Sequence, residues 1–453
     1  MSFTSIDLFS GPGGLCTGFK WAKIKPLIAV EMSDWTVKTY ASTHNAVILN
    51  LNEFLNGNIN EKEFFQFDPE KRTVVIHGDI TKVENNIISK LLQSRFNTKT
   101  VDIVTGGAPC ESFSMAGHRK EDDERNNLFL NILRIARHVD SKMLLFENVK
   151  GLFSKSVNGV PGQMYKDICD EFERIDPVTG VGFKLASREK SNVLLKASDY
   201  GVPQNRERIF LVGINTKYNG NYEYPQPTHG PNCSFPYVSV GDAILDLPQL
   251  DSGEETSNYI EDRITSIQTE TTSGKDFIRK MRGELLEVPN HLSFNINEIT
   301  SHKAVNHRKV MLKRMELIRQ GENMRTTAER LIMEGKEDLR NAYFPKKLYG
   351  ARNRRLVETL PSFTVTSHCL DEMIHPNSDR GLTPREAARL QSFPDWYIFE
   401  GPYVKFHSDP EQDRYEQIGD AIPPLLAYAL GIQVEVTLRD IKEHKTLVNT
   451  IEV

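Results

Sequence analysis

The first third of the chain alternates short apolar runs with amphipathic stretches. Thr4–Phe9 reads as a strand, Ser10–Gly14 as a glycine-rich turn and Leu15–Ala22 as the start of a helix. Pro26–Val30 is a second strand with Glu31 at its tip. Further strands are predicted at Thr73–His77, Val101–Thr105, Met143–Phe146 and Ile209–Ile214. Between two of these, Leu128, Ile132, Ile135 and Val139 recur at helical spacing beside Phe129, Leu133 and Ala136. Strands that are apolar throughout must be covered on both faces. The pattern therefore predicts an α/β fold with a mostly parallel sheet between helices. Such sheets bind ligands at the carboxyl ends of their strands, so the polar residues just past those ends come first for inspection.

Near residue 216 the pattern changes. Asn215–Cys233, rich in Asn, Gly, Pro and Tyr, reads as an exposed connection. Further on, Thr383-Pro384-Arg385-Glu386 has the shape of a capping box, with Thr as N-cap, Pro at N1 and Glu at N3. It should start a helix carrying Ala387, Ala388 and Leu390. No run approaches the ~18 apolar residues of a membrane span. The opening MSFTSIDLFSGPGG lacks the basic and apolar regions of a secretory signal, so a cytoplasmic location is expected.

Composition narrows the class. With 39% hydrophobic and 26% charged residues, disordered and fibrous chains drop out, and 453 residues suggest two or three domains. The five cysteines (16, 110, 169, 233 and 369) are odd in number and contain no C-x-x-C. That excludes a disulfide framework and a zinc ribbon, and no metal is expected. The net charge of −5 argues weakly against a nucleic-acid partner. Divided along the chain, that total changes meaning. Lys303 to Arg330 carries eight Lys/Arg against three Glu, and Arg340 to Val357 carries six Lys/Arg and no acid.

The candidate chemistry lies at the strand ends. The turn Asp7-Leu-Phe-Ser-Gly11-Pro-Gly13-Gly14 follows a strand and opens a helix, whose free N–H groups a ligand can approach closely. Glu31 lies 20 residues beyond Gly11, where nucleotide-binding α/β units place an acid for ribose hydroxyls. Asp79 ends the next strand and could accept from an adenine amino group. Cys16 stands where a third glycine would complete G-x-G-x-x-G, so a nucleoside-type ligand is favoured over a dinucleotide.

Cys110 sits in Gly106-Gly-Ala-Pro109-Cys110-Glu-Ser-Phe-Ser114, a loop better suited to presenting a nucleophile than to packing a core. Arg206 and Arg208 of Pro203-Gln-Asn-Arg-Glu-Arg208 are candidates for activating its thiol, or form structural ion pairs. Glu147, past the strand Met143–Phe146, is expected to be partly desolvated. Desolvation favours the protonated carboxyl and suits a proton donor, although a capping carboxylate would look the same.

Taken in order, these motifs resemble the DNA (cytosine-5)-methyltransferases of prokaryotic restriction–modification type. The resemblance continues through Arg355…Pro361-Ser-Phe-Thr364, His375-Pro…Arg380…Leu382-Thr-Pro-Arg-Glu-Ala-Ala-Arg-Leu-Gln-Ser-Phe-Pro394 and Gly419-Asp-Ala-Ile-Pro-Pro424. It implies a Rossmann-like S-adenosylmethionine-dependent methyltransferase sheet with a second, smaller target-recognition domain. The catalytic domain would span 1–240, completed by 411–453, and the recognition domain 241–410. Cys110 would attack C6 of a flipped cytosine, Glu147 would hold and protonate N3, and Arg208, with Arg206 alongside, would contact O2. Phe9, Gly11, Gly13, Glu31, Met32, Asp79, Ile80 and Pro109 would hold S-adenosylmethionine. Met32 replaces a more usual aromatic residue. Duplex DNA would be the partner and the chain a monomer, with a cognate restriction endonuclease acting separately. A tRNA cytosine-5 methyltransferase usually carries a Cys-Phe-Thr element, and this chain has none. A catalytically inactive DNA-binding paralogue would be expected to have lost one of Cys110, Glu147, Arg206 or Arg208.

Overall fold

The computed structural model of the protein describes residues 2–108, 128–259, 272–405 and 409–451. The chain divides into two compact units. One comprises residues 1–196, 207–226 and 426–453, and the other residues 197–206 and 227–425.

The first unit is built on a nine-stranded sheet. Its strands are β1 (Phe3–Leu8), β2 (Ile24–Glu31), β3 (Val47–Asn50), β4 (Val74–His77), β5 (Ile103–Gly106), β6 (Met143–Val149), β7 (Phe183–Leu185) and β8 (Leu194–Lys196), together with Glu207–Asn215. The short strand Gln204–Asn205 belongs to the second unit, so it is β9 and Glu207–Asn215 is β10. The sheet order is β3-β4-β2-β1-β5-β6-β10-β7, with β8 also on β10. From β3 to β6 every pairing is parallel, and β10 then runs antiparallel to β6. From β1 the chain moves to β2, reaches the outer edge as β3, fills the place between them as β4, then crosses to the other side of β1 as β5. The β1/β5 boundary is therefore the switch point at which open α/β sheets leave a crevice beyond their carboxyl ends.

The α/β expectation holds, and the reason is visible in the core. Ile6, Leu8, Ile28, Val30, Val74, Ile76, Val104, Leu144 and Phe146 are all buried in one cluster with the helices. Leu128–His138 is a helix, and Phe129, Ile132, Leu133, Ile135 and Ala136 are its buried face. One expectation is corrected. Among the described residues, the helical run Arg414–Glu443 is long and apolar enough to cross a membrane. Most of that window is buried, however, because the helix is a core element. Tyr428 meets Trp21 edge-on at 6.1 Å between ring centroids, and Gly431 packs on Phe19 and Ala22 of the helix Gly14–Trp21.

In the second unit, the helices Lys309–Leu317, Met324–Met333 and Glu337–Tyr343 enclose a small core of Met315, Ile318, Met324, Ala328, Leu331 and Phe344. The helix Pro384–Leu390 begins with the expected capping box. The Thr383 hydroxyl accepts from the Glu386 N–H, and the Glu386 carboxylate accepts from the Thr383 N–H.

Candidate active site

The glycine turn leaves β1 at the switch point, and its backbone is unusual from the first residue. Phe9 has φ 55°, a conformation that costs a non-glycine residue on the order of 1–3 kcal/mol and that clusters at ligand sites. Gly11 (φ 54°) and Gly13 (φ 100°) complete the reversal, and Gly13 is the left-handed N-cap of the helix Gly14–Trp21. Glu31 fastens this turn. Its Oε2 accepts from the Gly11 N–H at 2.9 Å, and its Oε1 accepts from the Met32 and Ser33 N–H groups at 2.7 and 3.0 Å. Burial pushes the Glu31 carboxyl upward, opposed by those three backbone donors and by His77. A carboxylate offers about four acceptor positions, so one remains for a ligand hydroxyl.

Asp79 caps the short turn Ile80–Lys82 through Oδ1, which accepts from the Thr81 N–H at 2.9 Å. Its Oδ2 makes no hydrogen bond among the described residues. The Gly78 N–H donates to the Glu31 carbonyl, and His77 Nε2 lies 3.1 Å from the Met32 carbonyl, so both acids share one edge of the sheet. Met32 is 68% exposed and supplies an apolar surface there, while Ile80 is buried. Two acids with spare acceptor positions, a strained backbone cradle and an exposed apolar side chain fit a nucleoside-bearing ligand such as S-adenosylmethionine.

Asp7 lies on β1 directly beneath the turn, and its type and position in sequence alone assign it no role. It is buried; Thr105 donates to its Oδ1 at 2.8 Å, and Oδ2 has no partner among the described residues. Burial pushes its carboxyl up to about 7, with Glu31 adding to the effect and Thr105 opposing it. A buried orphan oxygen of this kind is costly, and its position under the cradle marks it as part of the site. Only the register of β1 against β5 reveals this.

Glu147 and Arg208 form the second constellation. Arg208 on β10 pairs with Val149 in register, and its Nε lies 3.1 Å from Glu147 Oε1, both side chains being mostly buried. The loop after β5 is held against this pair. A Cβ on Gly107 would lie 2.9 Å from Glu147 Oε2, and the Asn148 side-chain amide donates to the Ala108 carbonyl at 3.1 Å. Pro109 and Cys110 lie outside the described residues. Gly107 and Asn148 were not singled out from sequence, although both lie within quoted motifs.

Cys16, Cys169 and Cys369 are buried, and burial pushes the thiols of Cys16 and Cys169 up to about 12 and 11 and that of Cys369 upward as well. Cys233 is half-buried on the connection expected to be exposed. Among the described residues, no group of three or more His, Cys, Asp or Glu is placed to hold a metal.

Arg206 falls in the second unit. It is buried, and its two terminal nitrogens donate to the carbonyls of Val365 and Gly419 at 2.8 and 2.9 Å. Gln204 acts similarly: its amide donates to the Leu390 carbonyl and the Gln391 side chain, and its Oε1 accepts from the Val365 N–H. These are scaffolding bonds that tie distant motifs of the second unit together.

The chain matches the family of C-5 cytosine-specific DNA methylases over residues 3–69 and 58–435. It is 30% identical over 432 residues to the Type II methyltransferase M.DdeI of Desulfomicrobium norvegicum, covering 95% of this chain and 88% of the relative. It is 29% identical to the Type II methyltransferase M.AgeI of Thalassovita gelatinovora, covering 96% and 99%. In fold it is similar, with TM-score 0.64 and 23% identity, to a crystal structure described as a DNA modification methyltransferase encoded within an E. coli prophage, over 97% of this chain and all of that one.

Proposed function

The chain belongs to the C-5 cytosine-specific DNA methylase family and is a DNA (cytosine-5)-methyltransferase. From that premise, we propose that it methylates C5 of a cytosine flipped out of a specific duplex sequence, through a covalent adduct at Cys110 and with S-adenosylmethionine as donor. The observation that supports the residue assignment is that the two residues after β5 are held at β6, just before Pro109-Cys110 in sequence: Gly107 abuts the Glu147 carboxylate and Asn148 holds Ala108. A nucleophile and a proton donor must act on one ring, and these contacts are the ones that such an arrangement requires of residues 107 and 108.

C5 of an aromatic pyrimidine is a poor nucleophile, and C5 and C6 are inaccessible within the stack, so the base is extruded before reaction. The Cys110 thiolate forms a bond to C6 and displaces ring electrons onto C5, while Glu147 delivers a proton to N3 and keeps the ring neutral. Arg208, paired with Glu147, orients that carboxyl and lies alongside O2. S-adenosylmethionine, when bound, supplies the electrophilic methyl group that C5 takes. A base, water or solvent-borne, takes the C5 proton, rupture of the Cys110–C6 bond returns the thiolate, and N3 gives its proton back to Glu147, which restores a neutral aromatic ring. Splitting one hard step in two is the gain of covalent catalysis. Glu31, Asp79, Met32, Ile80, Phe9, Gly11, Gly13 and Pro109 hold the donor. Arg206 acts as a positioning residue.

The reading includes a catalytic domain over 1–240 completed by 411–453 and a target-recognition domain over 241–410. It places a monomeric enzyme in the cytoplasm, with a restriction endonuclease of the same specificity as a separately acting counterpart. The test is bisulfite sequencing of DNA from cells expressing the wild-type chain, Cys110→Ala or Glu147→Gln. Methylated cytosines in one short context should appear with the wild-type chain and vanish with Cys110→Ala. They should fall by about 10²–10⁴-fold in rate with Glu147→Gln. A folded wild-type chain that adds no methylation would overturn the reading. Full activity in Cys110→Ala would overturn the nucleophile assignment.

A further inference from the structure

The basic stretches of the second unit are not equivalent once their partners are known. In the first, Arg308 and Lys309 are exposed with no carboxylate partner among the described residues, but Lys303, Lys313, Arg319 and Arg330 each face a carboxylate: Glu255, Glu316, Glu334 and Glu322. Their charge is largely neutralised where it stands. In the second, Arg354 pairs with Glu372, and buried Arg355 is consumed by the carbonyls of Ile318, His375, Ser378 and Met315 and by Asp379. Lys346, Lys347 and Arg352 are exposed and have no carboxylate partner among the described residues. Arg325 joins them from the neighbouring helix, its Nη2 donating to the Leu348 carbonyl at 3.4 Å, and it too has no carboxylate partner among the described residues.

Two of these cations, Lys347 and Arg352, flank one aromatic ring. Tyr349 is 43% exposed, with Lys347 Nζ 5.1 Å and Arg352 Cζ 5.4 Å from its ring centroid. The loop is held rather than loose. Leu348 packs on the small core, the Met324 N–H donates to the Arg352 carbonyl, and the Arg352 N–H donates to the Tyr349 carbonyl. Just beyond, buried Asn353 (φ 49°) donates to the Asp371 carbonyl. A fixed cluster of unneutralised cations flanking an exposed ring suits a polyanion, since little ordering entropy is lost on contact.

We propose that the loop 346–352, with Arg325, is a backbone clamp for duplex DNA: Lys346, Lys347, Arg352 and Arg325 contact phosphates, and Tyr349 packs on the adjoining deoxyribose. The clamp positions the duplex without reading its bases. This rests on the DNA methyltransferase reading above.

The test compares Lys346→Ala/Lys347→Ala/Arg352→Ala with Lys303→Ala/Lys313→Ala/Arg319→Ala, whose cations are already paired, using the full chain. Binding of a target-containing duplex and of an unrelated duplex is measured across salt concentrations, with melting temperature as the folding control. The clamp variant should lose roughly tenfold or more in affinity for both duplexes alike, and its log–log salt slope should flatten by about 2.7. Its bisulfite context should be unchanged. Tyr349→Phe should bind as wild type and Tyr349→Ala several-fold more weakly. Unchanged slope and affinity in the clamp variant would overturn the proposal. So would a loss confined to the target duplex with an altered methylation context, because the loop would then read bases. Preferential binding of RNA would also overturn it. A wild-type chain that methylates DNA normally while the clamp variant shows no binding defect refutes the clamp alone; a wild-type chain with no DNA activity refutes the reading beneath it and the clamp together.

Discussion

Asp7 shows how a single carboxyl can record both fold and site. It lies in the middle of the sheet, where a carboxylate with an orphan oxygen is expensive, and burial pushes it up to about 7 from an ordinary 3.8. Between those values the native chain holds a proton that the unfolded chain has lost. Its contribution is therefore present at low pH and is lost as pH rises through about 7. A carboxyl moved that far corresponds to on the order of 4 kcal/mol. Asp7→Asn keeps an acceptor for Thr105 and cannot ionise. The variant should melt higher than wild type at pH 8 and about equal to it near pH 4, followed by thermal denaturation. An advantage that is the same at both pH values would show that the carboxyl is not protonated by burial. The neighbours that share this environment are Glu31, which repels the Asp7 charge, and the buried Cys16 thiol, which Asp7 helps to hold high.

At the scale of elements, the helix Pro384–Leu390 carries an unusual load. Arg389 is fully buried and forms a two-bond fork with Asp395, at 2.6 and 2.7 Å. It also donates to Asp246 at 3.1 Å, the Ala243 carbonyl and the Tyr259 hydroxyl. Arginine keeps Asp395 below its usual range, whereas burial outweighs attraction at Asp246 and pushes that carboxyl up. Removing one member strands the others, so Arg389→Ala should cost about 3–5 kcal/mol in chemical denaturation. A loss below about 1 kcal/mol would mean that water replaces the guanidinium. The capping box that starts this helix was legible in Thr383-Pro384-Arg385-Glu386, because capping depends on neighbours in sequence. The parallel strands were legible for a related reason: β2, β5 and β6 are apolar on both faces and stand out as runs. The strand β3, an edge with half-exposed Val47 and exposed Ile48, carries only the short apolar run Ala46-Val47-Ile48-Leu49 between two helical stretches, and β7 and β8 are too short to show a period. The helices around Met315 and Leu331 are rich in paired charges that blur their apolar stripe. In the site, residue types were readable but partners were not. Glu147 and Arg208 stand 61 residues apart in sequence and meet only because β10 runs back along β6.

For the whole molecule, a net charge of −5 conceals the distribution that matters. A duplex responds to local potential within a Debye length, about 8–10 Å at ordinary salt, and not to the total. If four phosphates are neutralised by Lys346, Lys347, Arg352 and Arg325, affinity for any duplex should fall roughly a hundredfold between about 50 and about 200 mM salt. A salt-independent affinity would show that the acidic remainder governs binding instead. The connectivity of the second unit has a consequence of another kind. Its ten-residue piece Ala197–Arg206 lies upstream of the main piece, pairs Gln204–Asn205 with Ser362–Phe363, and through Gln204 and Arg206 holds Val365, Leu390 and Gly419. A recombination event that exchanged residues 227–425 as one continuous cassette would leave these two donors behind to serve a foreign scaffold. Inheritance of a new second unit therefore demands that Gln204 and Arg206 find the same acceptors in the incoming segment, which couples the drift of two stretches of gene separated by the return through β10.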